Sequence, residues 1–329
     1  MTSMRWAVLG TGQIARTFHA ALDGVPGMHV QAVASSDPGR ARSFADQHGI
    51  SEAGHYDDVL GAVDAVYVAT VHTTHADLAV RALRAGRPVL VEKPLALDAA
   101  STDRVLAAAE SAGLPVVEAY KYRFTPFAEA LHAAIRSGGI GAVRGLRAGF
   151  GFTAPTRTGR LFDPALAGGA VYDVGGYPAS LAVAVARWSG VPLDALRVAE
   201  ADGSLVRRTG LDKRTTATLT ADGFTARIEA AITRTLSRSV VIEGEDGSIH
   251  AEDGWGSRGV SARAVEIRRG SQVERVEVPV VDAFAAEAQA LVDPAAAGRT
   301  EADAMPWQDS RTTARLLDAW RSALGGTSR

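Results

Sequence analysis

The sequence contains no cysteine, which excludes disulfides, thiolate metal sites and a cysteine nucleophile. It has no surplus of charge of either sign. Thirty-five Lys and Arg face 37 Asp and Glu, a formal net charge of -2, so nothing points to nucleic acid or to an anionic membrane. No apolar stretch approaches the roughly 18 residues of a membrane span. The opening Met1-Thr2-Ser3-Met4-Arg5 runs into a strand pattern with no apolar signal region. Repeats and low-complexity segments are also missing. Together these absences predict a soluble, cytoplasmic protein. The remaining composition, 47% hydrophobic and 22% charged over 329 residues, suits about two globular domains, each with its own core.

Residues 1–122 alternate strand and helix patterns. Short apolar runs at 6–9, 30–34, 63–69, 88–91 and 114–119 are separated by helical stretches at about 13–22, 38–48, 74–85 and 98–111. Apolar strands joined by helices of that length imply parallel pairing with right-handed crossovers, a doubly wound sheet. After Tyr122 the texture changes. A helix at about 125–137 and a strand at 143–152 precede a glycine-rich segment and a helix near 178–188. From about 196 to 280 strand patterns follow one another without crossover helices, and Ala221-Asp222-Gly223 and Glu245-Asp246-Gly247 are hairpin signals. The expected fold class is α/β: a doubly wound domain over 1–122, then an α+β domain over 123–329. The second domain is built on an open, mainly antiparallel sheet, a face suited to self-association as a homodimer or homotetramer.

Gly10-Thr11-Gly12-Gln13-Ile14-Ala15 is G-x-G-x-x-A between a strand and a helix. The first glycine permits a tight turn and the second lets pyrophosphate reach backbone N–H groups. The small third residue lets the helix pack close. Gly10, Gly12, Gln13 and Ile14 are therefore candidate dinucleotide contacts. An acidic residue often ends the second strand of an NAD site; here Ser35-Ser36 stand there, with Asp37 and Arg40 beyond. Hydroxyls and a guanidinium suit a 2′-phosphate, so NADP is favoured over NAD, although Ser36 and Asp37 also read as caps of the helix opening at Pro38. Thr70, His72 and His75 follow the third long strand on the cofactor side. Two histidines three apart, with no thiolate and no obvious carboxylate, read as capping and cofactor contacts, and no metal site is expected.

Glu92-Lys93-Pro94 closes a buried strand. Ligands of open α/β sheets lie outside the carboxyl ends of the strands, so Lys93, fixed by the proline exit, can reach a substrate oxygen beside a nicotinamide. Glu92 is its neighbour in the same site. Later, in the run Gly168 to Pro178, Asp173 and Tyr177 are four apart and share a helical face. The flanking glycines would let a substrate approach the backbone. A phenol there can exchange a proton with a hydroxyl, and a nearby lysine stabilises the phenolate. Read without the first domain, the same segment is a loop with a capping Asp and a packing Tyr.

With these pieces assembled, the chain resembles the glucose–fructose oxidoreductase, inositol dehydrogenase and MocA (Gfo/Idh/MocA) family over nearly its whole length. The matching pieces are G-x-G-x-x-A, Glu92-Lys93-Pro94, Glu118-Ala119-Tyr120 leading into Tyr122-Arg123-Phe124, Gly168 to Tyr177, and Met305-Pro306. Asp173-x-x-x-Tyr177, in place of Asp-x-x-x-His, and Arg160-Leu161-Phe162-Asp163-Pro164 are similar to the branch with glucose–fructose oxidoreductase, dimeric dihydrodiol dehydrogenases and xylose dehydrogenases. The resemblance implies a Rossmann domain, then an α+β domain, with Lys93, Asp173 and Tyr177 meeting beside the nicotinamide. Tyr177 is then the general acid/base, and Tyr122, Arg123 and Arg160 join Asp173 and Tyr177 in binding a sugar, polyol or diol. Lys121, where relatives often carry an apolar residue, is either a pocket-shaping or a solvent-facing change. An NAD(P)-dependent dehydrogenase or reductase is the expectation. A retained-NAD glycosidase or lyase, and a non-catalytic dinucleotide sensor, stay open as alternatives.

Overall fold

The structure is a computed structural model and describes residues 4–256 and 263–325; Met1, Thr2 and Ser3 of the expected direct run into a strand lie outside it. In chain order the first elements are β1 (Met4–Leu9), α1 (Gln13–Leu22), β2 (Met28–Ala34), α2 (Pro38–His48), β3 (Glu52–Gly54), β4 (Ala65–Val68), α3 (His75–Arg84), β5 (Val89–Glu92), α4 (Ala99–Ala112) and β6 (Val116–Ala119). Then come α5 (Pro126–Arg136), β7 (Val143–Gly151), α6 (Gly176–Trp188), β8 (Arg197–Leu205), β9 (Asp212–Ala221) and β10 (Phe224–Ala231). The last are β11 (Val240–Gly244), β12 (Ser248–Ala251), β13 (Arg263–Arg269), β14 (Gln272–Val278), α7 (Ala283–Ala296) and α8 (Trp307–Gly325).

The chain forms two compact units. In the first, six parallel strands run in the order β3-β2-β1-β4-β5-β6. This is the doubly wound sheet expected from the sequence, and its order reverses at β1. Successive residues of a strand point to opposite faces, so each strand feeds two cores. Ala7, Leu9, Val66, Val68, Val89 and Val91 enter one. Trp6, Val8, Ala65, Tyr67 and Leu90 enter the other. Both faces are buried, which is why these strands read as continuous apolar runs.

The unit boundary differs from the expected division at 122. The first unit runs to Phe124 and also takes back Asp282–Trp307. Ala288 and Leu291 of α7 complete the core around Trp6 and Tyr67, while Trp307 enters the opposite core and donates its indole N–H to the Val116 carbonyl at 3.1 Å. Alanine-rich α7 has a weak apolar stripe, so its sequence does not announce which sheet it covers.

The second unit holds the remaining elements on an eight-stranded sheet, β14-β13-β12-β11-β7-β10-β9-β8. The two expected hairpins are present. Asp222 and Gly223, both at positive φ, join β9 to β10, and the 245–247 turn joins β11 to β12. Positive φ at both central residues is what a two-residue hairpin of this kind needs to follow the strand twist. All pairings are antiparallel except β7 with β10, strands between which the chain runs through α6, β8 and β9. Helix α6 is buried on all sides from Gly176 to Ala186, as a helix with no polar face must be. Strand β8 leaves most of its residues exposed and carries too little apolar alternation to stand out in the sequence.

Candidate active site

In the first unit the G-x-G-x-x-A turn has the geometry its residues require. Gly10 sits at φ +125, and a Cβ there would overlap the Ala69 carbonyl. Gly12 is the N-cap of α1, offers no side-chain cap and has open space where a Cβ would point. Helix α1 therefore begins with backbone N–H groups that no side chain covers, a cradle that fits a pyrophosphate. Gln13 is exposed and Ile14 half-buried on its first turn, and Ala15 is buried against the sheet, the close packing that its small side chain allows.

At the end of β2, Ser35 is buried and accepts the Asp37 N–H at 3.2 Å. Asp37 caps α2, accepting from Gly39 N at 2.8 Å. Arg40 donates to the Ser36 hydroxyl at 3.0 Å with its side chain 61% exposed. Of the two residues that also read as caps, Asp37 caps the helix, while Ser36 pairs its hydroxyl with the Arg40 guanidinium.

Around Lys93 three successive backbone groups are each gripped by a buried side chain. Glu92 accepts from the Lys93 N–H at 3.2 Å and from the Tyr67 hydroxyl at 2.7 Å. The His75 ring donates through Nδ1 to the Pro94 carbonyl at 2.8 Å, with Nε2 at 3.3 Å from the Thr70 carbonyl. Glu118 of β6 accepts from the Leu95 N–H at 2.9 Å. The Lys93–Pro94 peptide is cis. Glu92 and His75, assigned from the sequence to cofactor contact, thus hold the lysine's turn, and His75 is fully buried. His72, also buried, packs edge-on against His75 with ring centroids 5.7 Å apart. Thr70 accepts from the Thr74 hydroxyl at 2.8 Å. Among the described residues no group of three or more His, Asp or Glu could hold a metal ion.

Tyr122 and Arg123 are the substrate contacts expected from the resemblance. They are 1% and 2% exposed, and the Arg123 guanidinium donates twice to the Ala304 carbonyl, at 3.0 and 2.7 Å. Arg123 is an anchor for the returning segment. Lys121 lays its ammonium 5.3 Å from the Phe284 ring centroid of α7, so its place is against that helix. Sequence reasoning missed Glu287 on α7, which is fully buried with neither carboxyl oxygen hydrogen-bonded. Burial pushes its carboxyl well up, the Glu92 charge adds to this, and Lys121 opposes it.

In the second unit a wide π turn, Val171–Gly175, runs straight into α6. Such turns are rare and concentrate at functional sites. It carries Asp173, and Tyr177 stands at the start of α6; both are buried. Arg160 donates to the Asp173 carboxylate at 2.7 Å, so the structure brings these two predicted residues together. The Tyr177 ring lies edge-on to Phe150 and Trp255, with centroids at 5.1 and 5.8 Å. The glycines have a different use from the substrate access expected of them. A Cβ at Gly168 would lie 2.6–2.7 Å from the Leu161 and Arg160 carbonyls, and one at Gly175 would lie 3.1 Å from the Trp320 ring. They admit protein, namely the Arg160 segment on one side and α8 on the other.

The description "Oxidoreductase family, NAD-binding Rossmann fold" matches residues 4–120, and "GFO/IDH/MocA C-terminal domain" matches residues 128–250. D-xylose 1-dehydrogenase (NADP(+)) 2 of Haloferax volcanii is 32% identical over 294 residues, 88% of this chain and 87% of that one. The chain belongs to the Gfo/Idh/MocA oxidoreductase family. Its first unit is accordingly the NAD-binding Rossmann domain of a Gfo/Idh/MocA protein, as the order of its sheet requires. Trans-1,2-dihydrobenzene-1,2-diol dehydrogenase of Homo sapiens is 37% identical over 180 residues, 53% of this chain and 54% of the relative. The chain spans about half the length of these dihydrodiol dehydrogenases that it matches. A solved 3-ketoreductase from Actinomadura kijaniata, in complex with NADP and TDP-benzene, superposes with TM-score 0.87 at 28% identity, covering 98% of each chain. No helix among the described residues is long and apolar enough to cross a membrane.

The grip on Lys93 has a testable pH signature. Burial, opposed by the Pro94 carbonyl and the Glu92 charge, pushes the His75 imidazole below its ordinary 6.5. The fold keeps the ring neutral while the unfolded chain takes up a proton, so stability is full above about pH 6.5 and is lost as pH falls below it. Thermal unfolding should show a midpoint that drops between about pH 7 and pH 5. In His75→Asn, which keeps a donor for Pro94, the drop should be smaller; an unchanged slope would remove His75 from this account.

Proposed function

We propose that the protein is an NAD(P)-dependent oxidoreductase, with NADP favoured, that exchanges a hydride with a carbinol or carbonyl carbon of a sugar, polyol or dihydrodiol. One observation carries the reading. A phenol and a carboxyl are held on the buried start of a single helix, in a family chain whose other unit ends a strand in a tightly gripped lysine. D-xylose and a dihydrodiol stand in the names of two relatives, and NADP accompanies a third.

A bound nicotinamide supplies the hydride donor or acceptor. Gly10, Gly12, Gln13 and Ile14 hold the pyrophosphate end, and Ser35, Ser36 and Arg40 the adenine ribose and its 2′-phosphate. Thr70 and His72 line the same half, while His75 and Glu92 act through Lys93. In the oxidative direction Tyr177 takes the carbinol O–H proton as the carbonyl forms; in reduction it returns that proton to the carbonyl oxygen. Lys93 holds the reacting oxygen with its positive charge. Asp173, braced by Arg160, fixes the substrate's orientation. Each contribution is of the kind that positioned acid/base groups make, about 10²–10⁴ in rate.

We further propose assembly as a homodimer or homotetramer through the open sheet face. That face carries a depression of about 530 Å³ whose lining includes Arg147, Thr216, Arg227, Glu229 and Leu236, a mixture of charge and apolar surface that suits a copy of itself. A cysteine-free chain also suits a reducing cytoplasm.

Three outcomes follow. Tyr177→Phe should lose roughly 10²–10⁴ in kcat with D-xylose or trans-1,2-dihydrobenzene-1,2-diol as substrate, with NADPH binding by fluorescence unchanged; a near wild-type rate would rule out the assigned proton transfer. Arg40→Ala should raise the NADPH dissociation constant about tenfold through loss of a charge-assisted bond and leave NADH alone, and equal affinity for NADPH before and after would sink the phosphate role. Light scattering at micromolar concentration should give two or four times 34.3 kDa. A monomer mass would overturn the assembly.

A further inference from the structure

The start of a helix leaves N–H groups that need partners, and the residue before it usually provides one from its own side chain. The π turn that begins at Val171 is preceded by Ala170, which has no side-chain oxygen and makes no cap. The whole stretch is buried, Ala170 and Val171 completely, so water does not replace the missing partner. The acceptor comes instead from Asp212, forty-one residues on at the start of β9, whose carboxylate takes the Val171 N–H at 2.6 Å. Asp212 is itself only 5% exposed. Its approach explains Gly169: at φ +110, a Cβ there would stand 2.5 Å from one carboxylate oxygen. Behind the same turn, Arg321 of α8 lies over the Tyr172 ring at 4.2 Å and donates to its hydroxyl at 2.6 Å.

We propose that Asp212 is a positioning residue: a buried carboxylate that caps the Asp173–Tyr177 segment from a distant strand and thereby sets where Asp173 and Tyr177 stand. This rests on the assignment of that pair to catalysis. The cap is two residues from Asp173, whose own N–H bonds to the Gly169 carbonyl at 3.2 Å, so a shift of the Val171 end moves the Asp173 carboxyl directly. An acceptor-only group is required, because the Val171, Ala170 and Asp212 backbone N–H groups all favour the ionised carboxylate. An amide in its place would turn a donor toward donors.

The same burial separates this role from a merely structural one. Loss of water pushes the Asp212 carboxyl up, more than its N–H partners and the Arg321 charge pull it down. Such a group contributes stability below its unfolded value and loses it as pH rises through the folded one. The amide variant escapes that cost of burying charge but loses the acceptor-only fit to the N–H groups, and because the two effects oppose one another its stability at neutral pH should change little.

The test compares Asp212→Asn, Asp212→Glu and Tyr177→Phe with the wild type. Oxidation of D-xylose and of trans-1,2-dihydrobenzene-1,2-diol is followed by NADPH absorbance, alongside NADPH affinity and melting temperature. Asp212→Asn should lower kcat roughly ten- to hundredfold, as a small misplacement of reacting groups does, with KM within about threefold. NADPH affinity should be unchanged, and the melting temperature at neutral pH should change little. A wild-type kcat in Asp212→Asn, with Tyr177→Phe inactive, overturns this inference alone. A fully active Tyr177→Phe overturns the assignment on which it rests. Should the amide variant fail to fold, the test passes to the second variant. Asp212→Glu, which keeps the acceptor-only group one methylene out of place, then decides: lowered kcat with intact folding sustains positioning, and wild-type kcat ends it.

Discussion

Backbone that stops inside protein, away from water, has to find partners for its polar groups, and both units of this molecule are arranged around that constraint. In the Rossmann unit β5 ends at Glu92 and the chain turns at once through Lys93, Pro94 and Leu95. The Glu92, His75 and Glu118 side chains each take one of the backbone groups so exposed. An unmade bond at any of them would cost about 1–3 kcal/mol, so the turn has one stable arrangement, and the lysine inherits it. In the second unit the buried start of the π turn meets the same need through Asp212. Helix α1 is the contrast, since its first N–H groups meet no side-chain cap at Gly12, as suits a helix that receives phosphate.

Much of this architecture was legible in the sequence. The parallel strands are buried on both faces and read as unbroken apolar runs, and the two hairpins betray themselves through Asp222-Gly223 and Asp246-Gly247. What escaped has physical reasons. Strand β8 faces outward along most of its length, so it lacks the alternation that marks a half-buried strand. Helix α7 is half alanine and returns to a sheet laid down more than 150 residues earlier, a pairing that no local pattern encodes. The parallel β7–β10 contact joins strands separated by α6, β8 and β9, which is likewise a long-range fact.

At the candidate site the sequence indicated the chemistry better than the division of labour. Motif residues with polar side chains look alike on paper whether they face a ligand or brace one that does. Arg123, His75 and Glu92 each bond protein backbone, and Glu92 also takes the Tyr67 hydroxyl. A carboxylate inside an apolar strand, such as Glu118 in Val116–Ala119, is the kind of signal that could have warned of this, because buried charges are seldom without partners. Asp212 gave no such signal: one aspartate at the start of a strand is unremarkable until the glycine that faces it is placed beside it.

The return of Asp282–Trp307 to the first unit bears on how the protein is made. The ribosome makes the residues up to Phe124 before those of α7, but the sheet they form lacks the Ala288 and Leu291 side chains of one core and the Trp307 indole of the other. Synthesis of the intervening residues 125–281 takes on the order of ten seconds at cellular rates. Throughout that interval the nascent dinucleotide domain carries apolar surface that belongs under α7, at the stage when chaperones bind. Completion of the first unit therefore waits for Asp282–Trp307, and a transcript cut short at residue 281 would release a chain in which both units lack a closing segment, Asp282–Trp307 of the first and the stretch from Gln308 of the second.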